Sequence, residues 1–281
     1  MRMSRMAGRT GGMSRRARVI TLLSVFATAA GCGALLLIPG NVGAAAVAQG
    51  VSSAAPSQSV TTNSTGQAFG GVPEVGALFT ESAGTLGTHF CTASVVHSTH
   101  GDLAVTAAHC LASVQGQQVV FVPGYANGKE PYGAWTVTAV DTDEAWQSSQ
   151  NPDDDVAFLR LADSSKGVPI EHVTGAERLG TTPATSTLVR VIGYPGGTDQ
   201  PISCVNVARH FSTAQLEFAC AGYTDGTSGG PFLDDAPGAG HGTVIGVIGG
   251  YEQGGDTPDV SYASAFGPAV TALYRQAEAA A

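Results

Sequence analysis

The chain has 281 residues, 43 % of them hydrophobic, which is enough to bury a sizeable core in one folded unit. It carries 13 basic and 22 acidic side chains, so its formal net charge at pH 7 is −9. Nucleic-acid phosphates and anionic lipid headgroups repel a protein of this charge, and we therefore exclude both as partners.

The first residues predict an export signal. Six arginines and no acidic residue occur within residues 1–18, a largely apolar run follows over 19–38, and a small-residue stretch ends at Ala48. We predict a signal peptide over 1–48, cleavage after Ala48, a secreted (extracellular) protein and no stable membrane association afterwards. The mature chain would then carry a net charge of about −15, from 7 remaining basic and 22 acidic residues. A retained N-terminal membrane anchor is the alternative, because the apolar run is long enough to span a bilayer.

The composition then changes twice. Residues 49–67 are rich in Ser, Thr, Gln and Ala without periodicity, which predicts a flexible linker or propeptide remnant. From residue 68 to 281 we predict one domain, in which short β-branched runs alternate with Gly, Pro and Asp turns, as is typical of an all-β sandwich or barrel. Only residues 266–281 show helical spacing of apolar side chains. The predicted strands are 75–80, 92–97, 103–106, 118–122, 135–141, 156–161, 188–193, 215–220 and 243–249.

Four cysteines follow the apolar run: Cys91, Cys110, Cys204 and Cys220. An even number of cysteines in an exported chain predicts two disulfide bonds. A metal site is the alternative, because several histidines crowd the first two cysteines. The spacings match no usual zinc pattern, so we expect no metal and no cofactor. These histidines are His89, His97, His100 and His109.

Three segments contain residues suited to nucleophilic catalysis. His109 follows an apolar run, Asp155 opens another one, and Ser228 lies between Gly226 and Gly229. A serine hydroxyl needs a neighbouring base to attack at neutral pH, and imidazole is the side chain whose ordinary pKa lies closest to neutrality. A buried carboxylate can hold the imidazole in the required tautomer, and flanking glycines allow a tight turn at the nucleophile.

In this order the three segments resemble the trypsin/chymotrypsin-like serine peptidases, and the resemblance extends from about Phe69 to Tyr274. It identifies the chain as similar to a bacterial secreted member of this family, of the type that actinobacteria have. It implies an all-β fold of two six-stranded antiparallel β-barrels with a C-terminal helix.

The resemblance also implies residue roles. Ser228 would be the nucleophile, His109 the general base, and Asp155 the residue that orients the histidine. The backbone N–H groups of Gly226 and Ser228 would form the oxyanion hole. The implied disulfide pairs are Cys91–Cys110 and Cys204–Cys220.

The chain departs from the family pattern at both partners of an activating ion pair. Thr227 stands where the family usually has aspartate before the serine, and Ala68-Phe69-Gly70-Gly71 replaces the usual new N-terminus. We predict that hydroxyl bonding and packing order the loop around Ser228, in place of a zymogen switch.

The specificity pocket is predicted less directly, because the stretch between Cys220 and Ser228 is short for the family. Asp225 and Asp259 are the candidate substrate-binding carboxylates, and either would favour Arg or Lys at the cleaved bond. The alternative is that both are exposed turn residues. Gly249 and Gly250 would leave room for the substrate backbone at a strand edge that pairs with an extended peptide.

We therefore predict a secreted serine endopeptidase that acts as a monomer on protein or peptide substrates through an acyl-enzyme intermediate. Two alternatives remain, a non-catalytic binding protein on a protease fold and a secreted esterase with the same triad. The esterase alternative has less support, because α/β-hydrolases place their histidine after the serine, whereas His109 precedes Ser228.

Overall fold

A computed structural model describes residues 64–235 and 241–280. The predicted signal peptide and the predicted linker up to residue 63 lie outside the described residues. Within these two ranges, no helix combines the length and the apolar character that are needed to cross a membrane.

Six antiparallel strands form the first sheet. They are β2 (Val75–Ser82), β3 (Thr85–Val95), β4 (Leu103–Thr106), β5 (Gln118–Pro123), β6 (Trp135–Thr142) and β7 (Ala157–Leu161). The sheet closes into a barrel in the spatial order β2-β3-β4-β7-β6-β5. All four residues of β4 are buried, because this strand lies inside the molecule just before the residues of the candidate site.

The second sheet has eight strands. They are β1 (Gln67–Ala68), β8 (Arg178–Leu179), β9 (Thr187–Gly193), β10 (Ile202–His210), β11 (Gln215–Ala219), β12 (Pro231–Asp234), β13 (Thr243–Val247) and β14 (Val260–Ser264). The order is β14-β11-β10-β9-β12-β13-β8, and β1 pairs with β10 at the side. The sheet curls so far that its strands β13 and β14 meet again at a bridge between Ile248 and Ala263.

Within residues 64–235 and 241–280, four α-helices connect or cover the sheets: α1 (Ala108–Ala112), α2 (Glu144–Ser149), α3 (Glu171–Thr174) and α4 (Pro268–Ala279). Helix α4 buries Val270, Leu273 and Ala277, the i, i+3, i+7 face of an amphipathic helix. It returns to the first barrel, where the ring of Tyr274 packs against Phe158 of β7 at a centroid distance of 5.6 Å.

The predicted fold class is confirmed: the chain is mostly β, with two barrel-like sheets and a C-terminal helix. The structure differs from the prediction in four respects. The second sheet has eight strands in place of the six that the resemblance implies. The second sheet has a parallel pair, β8 with β13, beside its antiparallel pairs. The interpretation of residues 266–281 as the only helix is wrong, since α1, α2 and α3 precede it. The C-terminal helix begins at Pro268, because proline is suited to the first helical turn and Gly267 precedes it as the N-cap.

The N-terminal end of the described chain lies against the second sheet. Thr65 bridges Ala221, the Gly66 N–H donates to the Ala221 carbonyl at 2.8 Å, and Gln67 pairs with Ser203. The folded unit therefore includes Ser64–Gln67 and extends beyond the predicted boundary at Ala68.

Both disulfide bonds are present in the pairs that the resemblance implies. Cys91 of β3 is joined to Cys110 of α1, with a Cα–Cα distance of 6.2 Å. Cys204 of β10 is joined to Cys220, which follows β11, with a Cα–Cα distance of 6.7 Å. The first bond ties the helix that carries His109 to the wall of the first barrel.

Glu177 is a buried acid just before β8, and its side chain is only 2 % exposed. The pKa of Glu177 is raised from 4.5 to about 7, chiefly by burial and further by the nearby Glu74 and Asp235 carboxylates, against opposing effects of Gly242 and Arg190. The folded state therefore binds this proton more tightly than the unfolded chain does. Ionised Glu177 therefore destabilises the folded state. This destabilisation develops as the pH rises from about 4.5 through about 7, and it is absent below that range.

We expect Glu177→Gln to raise the free energy of unfolding at pH 8 by about 2 kcal/mol and to change it little at pH 4. Urea denaturation of the purified protein at both pH values measures the effect. The matched control is Glu130→Gln, which removes a carboxylate at an exposed position. An equal change at both pH values would contradict the assigned cause.

Candidate active site

The position of His109 is fixed by the elements on both sides of it. The fully buried strand β4 leads into α1, in which His109 is the second residue, and the next residue, Cys110, is held by the disulfide bond to β3. The imidazole is 12 % exposed, and His109 is one of the residues that line a cavity of about 940 Å³. Its backbone is therefore held rigidly while its ring still reaches that cavity.

Asp155 accepts three hydrogen bonds and is only 1 % exposed. Its Oδ2 atom accepts from His109 Nδ1 at 2.7 Å and from the Gly250 N–H at 2.8 Å, and its Oδ1 atom accepts from the His109 N–H at 2.8 Å. The carboxylate accepts the proton on Nδ1, so the neutral ring has its unprotonated nitrogen at Nε2. This is the tautomer that a general base requires.

A short turn brings Asp155 to this position. Residues Pro152–Asp154 form one turn of 3₁₀-helix, which the Asn151 side chain caps. The Pro152 carbonyl accepts from the Gln215 side chain at 2.9 Å and from the Ser264 hydroxyl at 2.8 Å. The turn belongs to the first barrel but is anchored on the second sheet.

Ser228 lies in a tight loop between two glycines with positive φ, 91° at Gly226 and 79° at Gly229. A side chain on Gly229 would meet Thr106 Oγ1 at 2.1 Å and the Thr92 carbonyl oxygen at 2.2 Å. Both glycines therefore allow a positive φ that other residues rarely adopt, and Gly229 also allows close contact with the first barrel. Thr227 is 2 % exposed, and its hydroxyl donates to the Thr224 carbonyl at 2.7 Å.

The loop has two free backbone donors. Among the hydrogen bonds of the described residues, neither the Gly226 N–H nor the Ser228 N–H reaches an acceptor. The N–H of the intervening Thr227 donates to the Thr224 carbonyl at 3.1 Å. Two unpaired donors, two residues apart on a tight turn, are suited to binding a negatively charged oxygen.

Ser228 and His109 line the same cavity, which has a volume of about 940 Å³. In the part of the chain that the structure describes, the Ser228 hydroxyl makes no hydrogen bond to the His109 ring. Such contacts are often long in unliganded sites and tighten when substrate binds. The structure thus places Ser228 and His109 on one cavity, while Asp155 does not line it and is buried against the histidine ring.

The candidate substrate-binding residues have different surroundings. Asp225 is exposed and lines the cavity, whereas Asp259 is exposed and does not line it. Gly249 and Gly250 lie against the Asp155 carboxylate. A side chain on Gly249 would meet Asp155 Oδ2 at 2.8 Å, and the Gly249 N–H donates to the Tyr262 carbonyl at 3.0 Å. Gly249 therefore leaves space for the Asp155 carboxylate, and Gly250 donates its N–H to that carboxylate.

Two acidic residues of the cavity were missed at the sequence level. Glu252 and Asp256 line it together with Asp225, and all three are exposed. The local signal is the run of glycines and acids from Gly249 to Asp256, but nothing in that run indicates which side chains face the serine. The cavity also includes Tyr223, whose hydroxyl donates to the Val191 carbonyl at 2.7 Å. Burial raises the pKa of Tyr223, so its hydroxyl remains a donor.

The sulfur atoms near the histidine are not available as metal ligands. Among the described residues, Cys91, His109 and Cys110 are the one group of three potential ligands that lie close together. Both cysteines are in a disulfide bond, whereas metal binding requires thiolates.

Comparison with known proteins agrees with this geometry. A family model described as the trypsin-like peptidase domain matches residues 88–247. Among solved structures, the protease Anisep from Arthrobacter nicotinovorans has a TM-score of 0.65 and 26 % identity, covering 76 % of this chain and 100 % of its own. A thermostable serine protease from an extremophilic microorganism has a TM-score of 0.63 and 23 % identity, covering 74 % of this chain and 98 % of its own.

A third solved structure, a Glu endopeptidase in complex with MPD, has a TM-score of 0.60 and 16 % identity, covering 77 % of this chain and 97 % of its own. No curated protein matches the chain. The family match extends over more than half of the sequence and includes His109, Asp155 and Ser228. The chain therefore belongs to the trypsin-like peptidase family and is a serine-type endopeptidase.

Proposed function

We propose that this protein is an exported monomeric endopeptidase in which Ser228 is the nucleophile, His109 the general base and Asp155 the orienting carboxylate. One observation carries the proposal. The Asp155 carboxylate accepts the proton on His109 Nδ1 at 2.7 Å, which makes Nε2 the basic nitrogen in a cavity that Ser228 also lines. A base without such a partner would populate the wrong tautomer for a large part of the time.

The reaction would proceed in two halves. Ser228 Oγ attacks the peptide carbonyl carbon, and its proton passes to His109 Nε2 as the new C–O bond forms. The carbon–nitrogen bond then breaks, and the leaving amine takes the proton from His109, which gives an acyl-enzyme. A water molecule hydrolyses this ester with His109 again acting first as base and then as acid. Asp155 remains ionised and stabilises the imidazolium in both halves.

The Gly226 and Ser228 N–H groups support the assignment of an oxyanion hole. Among the described residues, neither N–H donates to a protein acceptor. The two groups lie on either side of one peptide unit in a constrained loop. The negative charge that develops on the substrate oxygen would be stabilised by two donors that need no reorganisation.

The acidic rim supports a basic side chain at the cleaved bond. Asp225, Glu252 and Asp256 all line the cavity, whereas the described lining contains no Lys or Arg. We therefore propose a preference for Arg or Lys, and we assign it to these three carboxylates in place of the earlier pair Asp225 and Asp259. Asp259 drops out because it does not line the cavity.

Export is supported by the two disulfide bonds, which persist in oxidising compartments. The site itself requires no cofactor, because the nucleophile, the base and the two donors are all parts of the protein.

The test is cleavage of a mixed peptide library by the full chain, purified from the medium of an exporting host, with Ser228→Ala as the control. We expect cuts after Arg or Lys that disappear in the control, and labelling of the wild type alone by a fluorophosphonate. Size-exclusion chromatography of the same sample reports whether the protein is a monomer.

Other outcomes would separate the alternatives. Cuts after other residues would retain the protease and contradict the assigned preference. Fluorophosphonate labelling with turnover of esters but not of peptides would favour an esterase. The absence of both labelling and cleavage would overturn the catalytic assignment and favour a binding protein on this fold.

A further inference from the structure

Thr92 connects the first barrel to the loop that carries Ser228. It belongs to β3, is fully buried and forms hydrogen bonds through its N–H, its hydroxyl and its carbonyl. The N–H donates to the Ser228 carbonyl at 2.7 Å. The carbonyl accepts from the Thr106 hydroxyl at 2.7 Å. Because Thr92 has no solvent exposure, water cannot easily replace these hydrogen bonds.

The Thr92 hydroxyl bridges the residue that follows β9 and the loop that carries Ser228. It accepts from the Tyr194 N–H at 2.9 Å and donates to the Gly226 carbonyl at 3.0 Å. A hydroxyl has one donor and two acceptor positions, so this single group satisfies two buried backbone groups at once. Valine has nearly the same shape but could satisfy neither.

The carbonyl bonds fix the peptide planes around the nucleophile. A trans peptide points its N–H opposite to its C=O, and the described chain has no cis peptide bonds. The Asp225 carbonyl accepts from the Gly196 N–H at 2.6 Å, and the Thr227 carbonyl accepts from the Gly230 N–H at 2.9 Å. These two bonds set the directions of the Gly226 N–H and the Ser228 N–H, which are the two free donors.

Thr92 completes this arrangement. It holds the carbonyls of Gly226 and Ser228, and through the Tyr194 N–H it holds the segment that carries Gly196. Gly226 has φ of 91° and no side chain, so its backbone could turn at little cost without these bonds. A bonded carbonyl on every residue from Asp225 to Ser228 prevents that rotation.

We propose that Thr92 is a positioning residue for the oxyanion hole: its hydroxyl holds the Gly226–Thr227 peptide unit, which lies between the two donors, in the orientation that leaves the Gly226 and Ser228 N–H groups free for the substrate oxygen. The proposal rests on the proposed function. Thr92 acts through these backbone groups, and nothing in the structure requires it to touch substrate.

The test compares Thr92→Val with Thr92→Ser. We expect Thr92→Val to lower kcat for an Arg-containing peptide by about 10²-fold with KM changed less than about threefold, since loss of an oxyanion donor has an effect of this size. Thr92→Ser keeps the hydroxyl and should restore kcat to within about threefold of the wild type.

The matched control is Thr174→Val, which removes a buried hydroxyl that does not line the cavity. Thr174 Oγ1 lies 2.7 Å from the Gly175 carbonyl oxygen and 3.1 Å from the Ile170 carbonyl oxygen, so its single proton has an acceptor at either position. This variant should lose comparable stability but retain kcat. Circular dichroism measures the folded fraction of each protein, and Thr92→Ala replaces Thr92→Val if the latter does not fold.

Unchanged kcat in Thr92→Val, failure of Thr92→Ser to restore activity, or an equal loss in Thr174→Val would each overturn the proposal. A wild type that cleaves no peptide would instead overturn the proposed function. A crystal structure of Thr92→Val decides the positioning role without reference to activity. We expect the Gly226 carbonyl to turn away from residue 92, and an unchanged loop would contradict the proposal.

Discussion

Replacing Asp155 with asparagine is expected to lower kcat for peptide cleavage by about 10⁴-fold while leaving KM nearly unchanged. The carboxylate accepts from the His109 N–H, His109 Nδ1 and the Gly250 N–H. An amide has one acceptor oxygen and a donating NH₂ group, so it cannot satisfy all three donors. The NH₂ group would favour the tautomer with its proton on Nε2, and His109 could then no longer accept the Ser228 proton.

Steady-state kinetics at neutral pH with an Arg-containing peptide would measure this loss. The control is Asp163→Asn, the same chemical change at an exposed position outside the cleft, which should retain full activity. A fall in kcat below tenfold for Asp155→Asn would show that His109 does not depend on this carboxylate, and the assigned triad would fail.

Gly229→Ala is expected to have the largest effect on folding, at least about 4 kcal/mol in the free energy of unfolding. Two costs combine at this position. The φ of 79° strains any residue with a side chain, at roughly 1 to 2 kcal/mol. The added Cβ would also lie 2.1 Å from Thr106 Oγ1 and 2.2 Å from the Thr92 carbonyl oxygen, and the second of these is backbone that cannot rotate away.

Gly116→Ala separates the two costs. Gly116 has nearly the same φ, 78°, but a Cβ there would meet nothing within 4 Å. Urea denaturation should therefore give a loss of about 1 kcal/mol for Gly116→Ala and a much larger one, or no folded protein, for Gly229→Ala. Similar losses in the two variants would mean that backbone strain alone explains the glycine, and that the close contact between barrel and loop is unimportant.

The sequence predicted well those features that depend on residues close together in the chain. The strand over residues 103–106 was predicted with its observed ends, because four apolar or β-branched residues lie between a turn and a small-residue segment. Strand β10 was missed, because its buried residues Cys204 and Ala208 are separated by exposed or half-exposed ones such as Val205. Strands β1 and β8 contain two residues each, so only their pairing partners define them.

Helix α1 shows the same limit. Its five residues include Ala108 and Cys110, which also suit a strand end, and its N-cap Ala107 makes no side-chain capping bond. No local start signal was therefore present. The observed turn depends on the disulfide bond from Cys110 and on the contacts of His109 with Asp155.

The sequence by itself determined the family, the all-β class, the chain order of His109, Asp155 and Ser228, and the need for glycine beside the serine, because each is encoded in a few adjacent residues. The tertiary structure decided which groups meet: Asp155 reaches Gly250 across 95 residues, and the Thr92 hydroxyl reaches Gly226 across 134. It also decided that Glu252 and Asp256, but not Asp259, line the cavity. Such contacts follow from how two curled sheets pack against each other, and residues that meet only through that packing leave no periodic or local pattern in the sequence.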